Sequence, residues 1–328
     1  MGPDPDGTAV VLMAYGSPQR KEEIGAYLEH IRGGERPSAE GLADLERRYD
    51  AIGGRSPLLE ITRAQAAELE RASAKRGRPV RVWAAMKHSP PFAAEVVHEA
   101  HADGTRRFLG VALAPHFARM SIGGYERALR ATAEALPGVK SVEMVKSWHL
   151  EPALVDTWAE AIRAIRRARP AFAASDASVL FSAHSLPARI AAEGDPYPGQ
   201  LAQTCAAVAK ASEVERFSFA WQSAGTRGEW LGPPLLERLR ELAAGGVRTV
   251  LSAPVGFVSD HLEVLYDLDI EARAEAERLG LQWARAPMPN VAPRLIEALV
   301  NVVECALAAP RPKAEAGARK AERGYAPS

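Results

Sequence analysis

Short apolar runs punctuate the chain at 9–14 (AVVLMA), 80–86 (VRVWAAM), 107–114 (RFLGVALA), 140–146, 178–183 (SVLFSA), 217–221 (FSFAW), 248–253 (RTVLSA) and 281–285. They are of strand length and rich in Val, Phe and Trp, so each predicts a β-strand. The longer stretches between them, such as 57–76 and 151–168, repeat apolar residues at helical spacing. In SPLLEITRAQAAELERAS the positions Leu58, Ile61, Ala64, Ala67 and Leu69 are expected to share one buried face. Strands separated by helices predict parallel sheets covered on both sides, and right-handed crossovers make a doubly wound α/β fold the economical topology.

The pattern also repeats. A strand leading into Y-G-S-P at 15–18 is echoed by a strand leading into H-S-L-P at 184–187, and APHF at 114–117 by APVGF at 253–257. Two copies of one unit would bring four strand ends to a shared cleft, and ligands of open α/β sheets bind at the carboxyl ends of strands. The expected division is a first half over 1–150, a second over 151–285, and a last segment, about 286–309, packing back on the first half. The tail 310–328 has almost no large apolar residues and is expected to be disordered.

With 328 residues, 47% hydrophobic and 25% charged, the chain is of ordinary globular composition and long enough for two domains. Lys plus Arg and Asp plus Glu both number 41, so no basic field argues for nucleic acid. The N-terminus lacks the basic and apolar regions of a signal peptide. No run approaches the ~20 apolar residues of a membrane span. The cytoplasm is therefore the expected compartment. Neither a dinucleotide-binding G-x-G-x-x-G after a strand, nor a phosphate-binding P-loop, nor a hydrolase G-x-S-x-G is present.

Candidate chemistry concentrates in two places. Glu263, Asp267 and Glu271 recur at i, i+4 and i+8, which stacks three carboxylates along one helix face. That spacing fits a solvated acidic helix end, with D-H-L-E at 260–263 as a capping box, or a path for a cation. Phe257, Leu262, Leu265 and Tyr266 around the row favour partial burial. His184 closes a predicted strand where the other half has Tyr15, and suits either a turn role or metal and proton handling. His98 and His101, three apart on a helix, read as a surface pair, and His116 in APHF as a turn or supporting residue. Arg32 (HIRGG), Arg47, Arg48, Tyr49 and Ser56 (ERRYDAIGGRSP), and Ser121 and Tyr125 (SIGGYERAL) form three segments suited to an anionic ligand.

Taken in order, LMAYGSP, HIRGGERP, RYDAIGGRSPL, APHF, SAHSLP, GDPYPGQ, WQS with EWLGP, and PVGFVSDHLEVLYDLDIE strongly resemble the ferrochelatase family, which inserts Fe2+ into a porphyrin. The resemblance covers nearly the whole chain before the tail. It implies two similar four-stranded Rossmann-like domains facing across a cleft. It makes His184 and Glu263 the catalytic and inner metal-binding pair, with Asp267 and Glu271 as outer carboxylates that strip water from the ion. Tyr15 resembles the tyrosine that approaches the metal from the opposite face in the branch acting on coproporphyrin. Arg32, Arg48, Tyr49, Ser56 and Tyr125 match positions contacting the macrocycle or its propionates, and Trp221 and Trp230 the cleft walls.

The implied reaction is insertion of Fe2+ into coproporphyrin III to give coprohaem in haem biosynthesis. The alternatives are a protoporphyrin IX ferrochelatase, a cobalt or nickel chelatase of the same architecture, or a non-catalytic haem carrier. The expected partners are coproporphyrin III, Fe2+ and a downstream coprohaem-processing enzyme, for a protein acting as a monomer. Some relatives hold a 2Fe–2S cluster. With Cys205 and Cys305 as its only cysteines, this chain departs from that pattern and is expected to have no permanent cofactor.

Overall fold

The computed structural model describes residues 7–225 and 228–309, so the 310–328 tail lies outside the described residues. Eight strands form: β1 (Thr8–Ala14), β2 (Arg81–Met86), β3 (Arg107–Ala112), β4 (Ser141–Val145), β5 (Ala177–His184), β6 (Phe217–Gln222), β7 (Thr249–Ala253) and β8 (Gln282–Arg285). They assort into two four-stranded sheets of order β2-β1-β3-β4 and β6-β5-β7-β8. All six pairings are parallel, with Val10 opposite Val82 and Leu109 in one sheet and Val179 opposite Phe217 and Leu251 in the other. The two halves therefore share one topology, and β1 and β5 are equivalent strands within it.

The near-continuous apolar runs are explained by helices covering both faces: six of the seven residues of β1 and all of β7 are buried. One core runs from Val10, Leu12 and Leu109 of the first sheet through Leu69 to Val179, Phe181, Val250 and Leu251 of the second. The last helix, Pro293–Ala308, joins them. It packs against the Leu58–Lys75 helix of the first half and the Pro152–Ala168 helix that leads into the second. Proline in its first turn, where the missing N–H has no partner to lose, fixes its start.

The Leu58–Lys75 helix buries a different stripe from the one its apolar spacing predicts. Leu58, Leu59, Thr62, Gln65, Ala66, Leu69 and Ser73 face inward, while Ala64 and Ala67 are exposed. Two of the inward polar side chains make hydrogen bonds there, while Gln65 Oε1 and Ser73 Oγ have no hydrogen-bond partner. Thr62 Oγ1 donates to the Leu58 carbonyl (2.8 Å), and Gln65 Nε2 donates to Ser259 Oγ (3.0 Å) of the second half and to the Asn290 carbonyl (2.7 Å) of the last segment. Gln65 thus ties this helix to the chain beyond it.

Because this core is continuous, the described body is expected to denature in one transition. Leu299→Ala, at a fully buried position of the last helix, should cost about 2–5 kcal/mol and lower the melting temperature while leaving a single transition. Calorimetry resolving two transitions, one per sheet, would contradict this.

Candidate functional site

In each sheet the chain reverses its direction of travel next to the first strand of the half, between β1 and β3 and between β5 and β7. Crevices open at such switch points, outside the carboxyl ends of the strands. His184 is the last residue of β5, and Glu263 lies on the segment following β7. His184 Nδ1 and Glu263 Oε2 are 3.0 Å apart across the second crevice. A carboxylate only accepts, so Nδ1 carries the hydrogen and the neutral ring keeps its lone pair on Nε2.

Backbone geometry delivers Glu263 there. After β7 the chain passes so close over β5 that the Gly256 amide donates to the Ser182 carbonyl (3.1 Å). A Cβ on Gly256 would lie 2.4 Å from Ala183 Cβ and 2.8 Å from Ala183 Cα, so only glycine permits this approach. The chain then winds into a π-helix over Val264–Ala272 rather than the α-helix its spacing predicts. Its wider i→i+5 turn keeps residues four apart near one face, and such turns concentrate at functional sites. Nor does the D-H-L-E segment form a capping box. Asp260 instead accepts from Asn290 Nδ2 (2.7 Å) and pairs with Arg285 (3.2 Å).

Charge is graded along the row. About a third of the His184 and Glu263 side chains remains open to water. Burial pushes the Glu263 carboxyl up, but His184, by charge and hydrogen bond, and then His261 hold it well below the usual carboxylate range. Burial likewise opposes a charged His184, but Glu263 and then Asp267 override it and raise the imidazole above its ordinary value. Asp267 is only 6% exposed. Burial and then the Glu263 charge push it up to about 7, against the opposing Ser223 hydroxyl and Arg48. Ser223 Oγ donates to Asp267 Oδ2, while Oδ1 has no hydrogen bond and lies 3.6 Å from Arg48 Nη1. Glu271 is half-buried toward the surface. Among the described residues no three His, Cys, Asp or Glu side chains converge on one metal position. The row is a sequence of separate acceptors.

The first half brings tyrosines to the same cleft. Tyr15 follows β1, is 43% exposed, and tilts against the His88 ring (4.6 Å). Burial and then the Glu263 charge raise the phenols of Tyr15 and Tyr49, which puts both in the Glu263 field. Tyr125 is buried, and Tyr15 adds to the upward push of its burial. Tyr197 donates to the His184 carbonyl (3.0 Å) and packs on Trp221 (5.7 Å), forming an aromatic wall with Phe219.

Arg48 donates to Asp44 Oδ2 (2.9 Å) and stacks on Tyr266 (5.0 Å), so it spans the halves. Ser56 is fully buried and accepts from the Leu58 amide (3.3 Å) at the start of its helix. Arg32 is exposed, beside Gly41 at the start of the Ala39–Ala51 helix, and makes no contact with the His184–Glu263 pair.

The apolar pattern gave no warning of His261. Its Nδ1 donates to the Ser259 carbonyl (3.0 Å), and its Nε2 stands 3.7 Å from Glu263 Oε2, giving the carboxylate a second imidazole neighbour. His116 is structural: Nε2 meets Thr204 Oγ1 (2.9 Å) across the halves, and burial followed by His149 pushes it down to about 3. His101 bonds the Pro137 carbonyl (2.9 Å), and His98 is exposed.

The pair makes a titration prediction. Followed by ring-proton NMR, His184 should titrate above 6.5 in the free protein, and Glu263→Gln should lower it, because burial then meets less opposition. A titration unmoved by that substitution would contradict the assignment of the shift to Glu263.

Known proteins match this architecture and sequence. The solved sirohydrochlorin chelatase SirB of Bacillus subtilis subspecies spizizenii, in complex with cobalt, superposes with a TM-score of 0.54 at 11% identity, covering 91% of this chain and 94% of that one. SirB from Bacillus subtilis with Fe3+ gives 0.55 at 14% identity, over 92% and 96%. At such identities the likeness is one of fold. In sequence, the coproporphyrin III ferrochelatase of Geobacillus sp. (strain WCH70) is 41% identical over 90% of this chain and 96% of its own length. That of Bacillus subtilis (strain 168) is 39% identical over 90% and 96%, and the ferrochelatase of Herpetosiphon aurantiacus 41% over 90% and 98%. The ferrochelatase family model matches residues 7–307. The chain belongs to the ferrochelatase family.

Proposed function

We propose that this ferrochelatase inserts Fe2+ into coproporphyrin III, giving coprohaem and releasing the two pyrrole protons. The observation that carries the reading is the hydrogen-bonded His184–Glu263 pair at the β5/β7 crevice, facing the Tyr15 side of the cleft. A free porphyrin fills its central hole with two N–H groups, so insertion needs a proton acceptor and a metal donor at one point. Glu263, held ionised, and the Nε2 lone pair of neutral His184 supply these. Since His184 titrates above its ordinary value, the neutral, accepting form of the pair grows as pH rises through that raised pKa.

Asp267 and Glu271 extend the acceptor row outward from the pair. Oxygen and imidazole donors of moderate affinity let an aquo ion shed water in steps and then leave for the ring nitrogens. Tyr197, Phe219 and Trp221 supply an apolar wall against which the macrocycle can be held and bent. Arg32, Arg48, Tyr49, Ser56 and Tyr125 are the donors assigned to the macrocycle and its propionates. A propionate at Arg48 would replace part of that residue's contact with Asp44 and Asp267.

Coproporphyrin carries four propionates where protoporphyrin carries two, and several relatives at about 40% identity are named for the former. No resident cluster enters this reading. Cys205 is sealed in the core with its thiol pushed up to about 12 by burial, and with exposed Cys305 it is two ligands short of a four-cysteine set. Among the described residues no helix is long and apolar enough to cross a membrane.

The test is anaerobic Fe2+ insertion followed by absorbance, with coproporphyrin III and protoporphyrin IX in parallel. Coproporphyrin should be favoured in kcat/KM by at least about tenfold, the discrimination expected of one or more extra charge-assisted hydrogen bonds. A preference for protoporphyrin would overturn the substrate assignment. Tight product binding without insertion into either would replace the enzyme with a carrier.

A further inference from the structure

Lys87 and Arg127 are two cations of the first half that make no ion pair among the described residues. Lys87 directly follows β2, and its amide donates to the Ala14 carbonyl (2.9 Å), so it runs alongside Tyr15. Its half-buried side chain ends 5.3 Å from the centre of the Tyr125 ring. Arg127, exposed and two residues beyond Tyr125 on the Ile122–Ala133 helix, folds back over Gly123 and Gly124.

The glycines make room for this convergence. A Cβ on Gly124 would stand 2.8 Å from Lys87 Nζ and 3.9 Å from Arg127 Nη2, and one on Gly123 would stand 3.4 Å from Arg127 Nη1. Two like charges thus crowd one bare patch of helix.

The nearby acids are engaged elsewhere. Glu126 pairs with Arg130 (3.1 Å) and Lys146, and Glu134 with Arg130 (2.9 Å). Burial, with Arg127 adding, lowers the Lys87 pKa, and His88 beside it is pushed down to about 4 by burial, then Lys87 and His30. The local field is positive and unneutralised. A half-buried lysine with a second cation converging on it is unfavourable until an anion joins them.

We propose that Lys87 and Arg127 form a carboxylate clamp beside Tyr125, which holds one propionate of the porphyrin and selects a four-propionate ring over one with two. The guanidinium fork suits a carboxylate, and the lysine adds a point charge from the Tyr15 side. The clamp rests on the porphyrin reading above and deepens it by naming residues that separate the two substrates.

Four full-chain variants test it: Lys87→Gln, Arg127→Gln, their double, and Gly124→Ala. The last keeps both charges and favours the helix, and its methyl group meets the flexible end of the lysine, which has to swing away from its place beside Arg127. KM and kcat are read for coproporphyrin III and protoporphyrin IX. The clamp predicts a coproporphyrin KM raised about tenfold in the single variants and Gly124→Ala, and up to about 100-fold in the double. It predicts kcat within about threefold of wild type and a protoporphyrin KM that moves far less. An unmoved coproporphyrin KM, or equal rises for both substrates, would overturn the clamp. Wild-type inactivity with coproporphyrin would instead overturn the substrate reading beneath it, so the two failures are distinct.

Discussion

The hydrogen bond between His184 and Glu263 is the constraint on which the rest of the site depends. An ionised carboxylate set into a protein cleft is costly unless a partner stands beside it. The two residues lie 79 positions apart in sequence, so only the fold can pair them. β5 ends at the histidine, β7 runs parallel beside it, and Gly256 lets the following loop cross the β5 terminus closely enough to return the glutamate. The apolar cores of the sheets hold these strand ends in register.

From that pair the electrostatics grade outward. Glu263 stays ionised because His184 and His261 flank it, and its charge in turn helps keep Asp267 near the midpoint of its titration at neutral pH. Arg48, from the first half, closes over Asp267 while stacking on Tyr266, and Arg47 bonds the same tyrosine. The π-helix is therefore clasped by the opposite half along the face that carries the acids. With Gln65 bound to Ser259 and His116 to Thr204, these contacts join the two repeats into one body.

The sequence carried much of this in readable form. All eight strands lie where the sequence pattern predicts them, and the runs are most nearly unbroken in strands such as β1 and β7 that are buried on both faces. His184 and Tyr15 were legible as equivalent strand-end residues from the repeat alone. What escaped was set by partners distant in sequence. Gln65 faces inward and bonds to Ser259 and Asn290, partners some 194 and 225 residues away that apolar periodicity does not register. Residues four apart share a face in a π-helix nearly as in an α-helix, so the acidic spacing could not distinguish them. His261 reads as part of a capping signal, and only the loop after β7 turns it toward Glu263. The link between Lys87 and Arg127 depends on two glycines whose importance is the space they leave.

In the proposed reaction one pair, His184 with Glu263, handles both the metal and the pyrrole protons. The most direct measurement compares His184→Ala and Glu263→Ala with wild type, recording porphyrin affinity by fluorescence quenching and anaerobic Fe2+ insertion by absorbance in the same preparations. Porphyrin affinity should stay within about threefold of wild type, and insertion should fall at least about 100-fold in each variant. Insertion at near wild-type rates by both variants, with porphyrin bound normally, would contradict it.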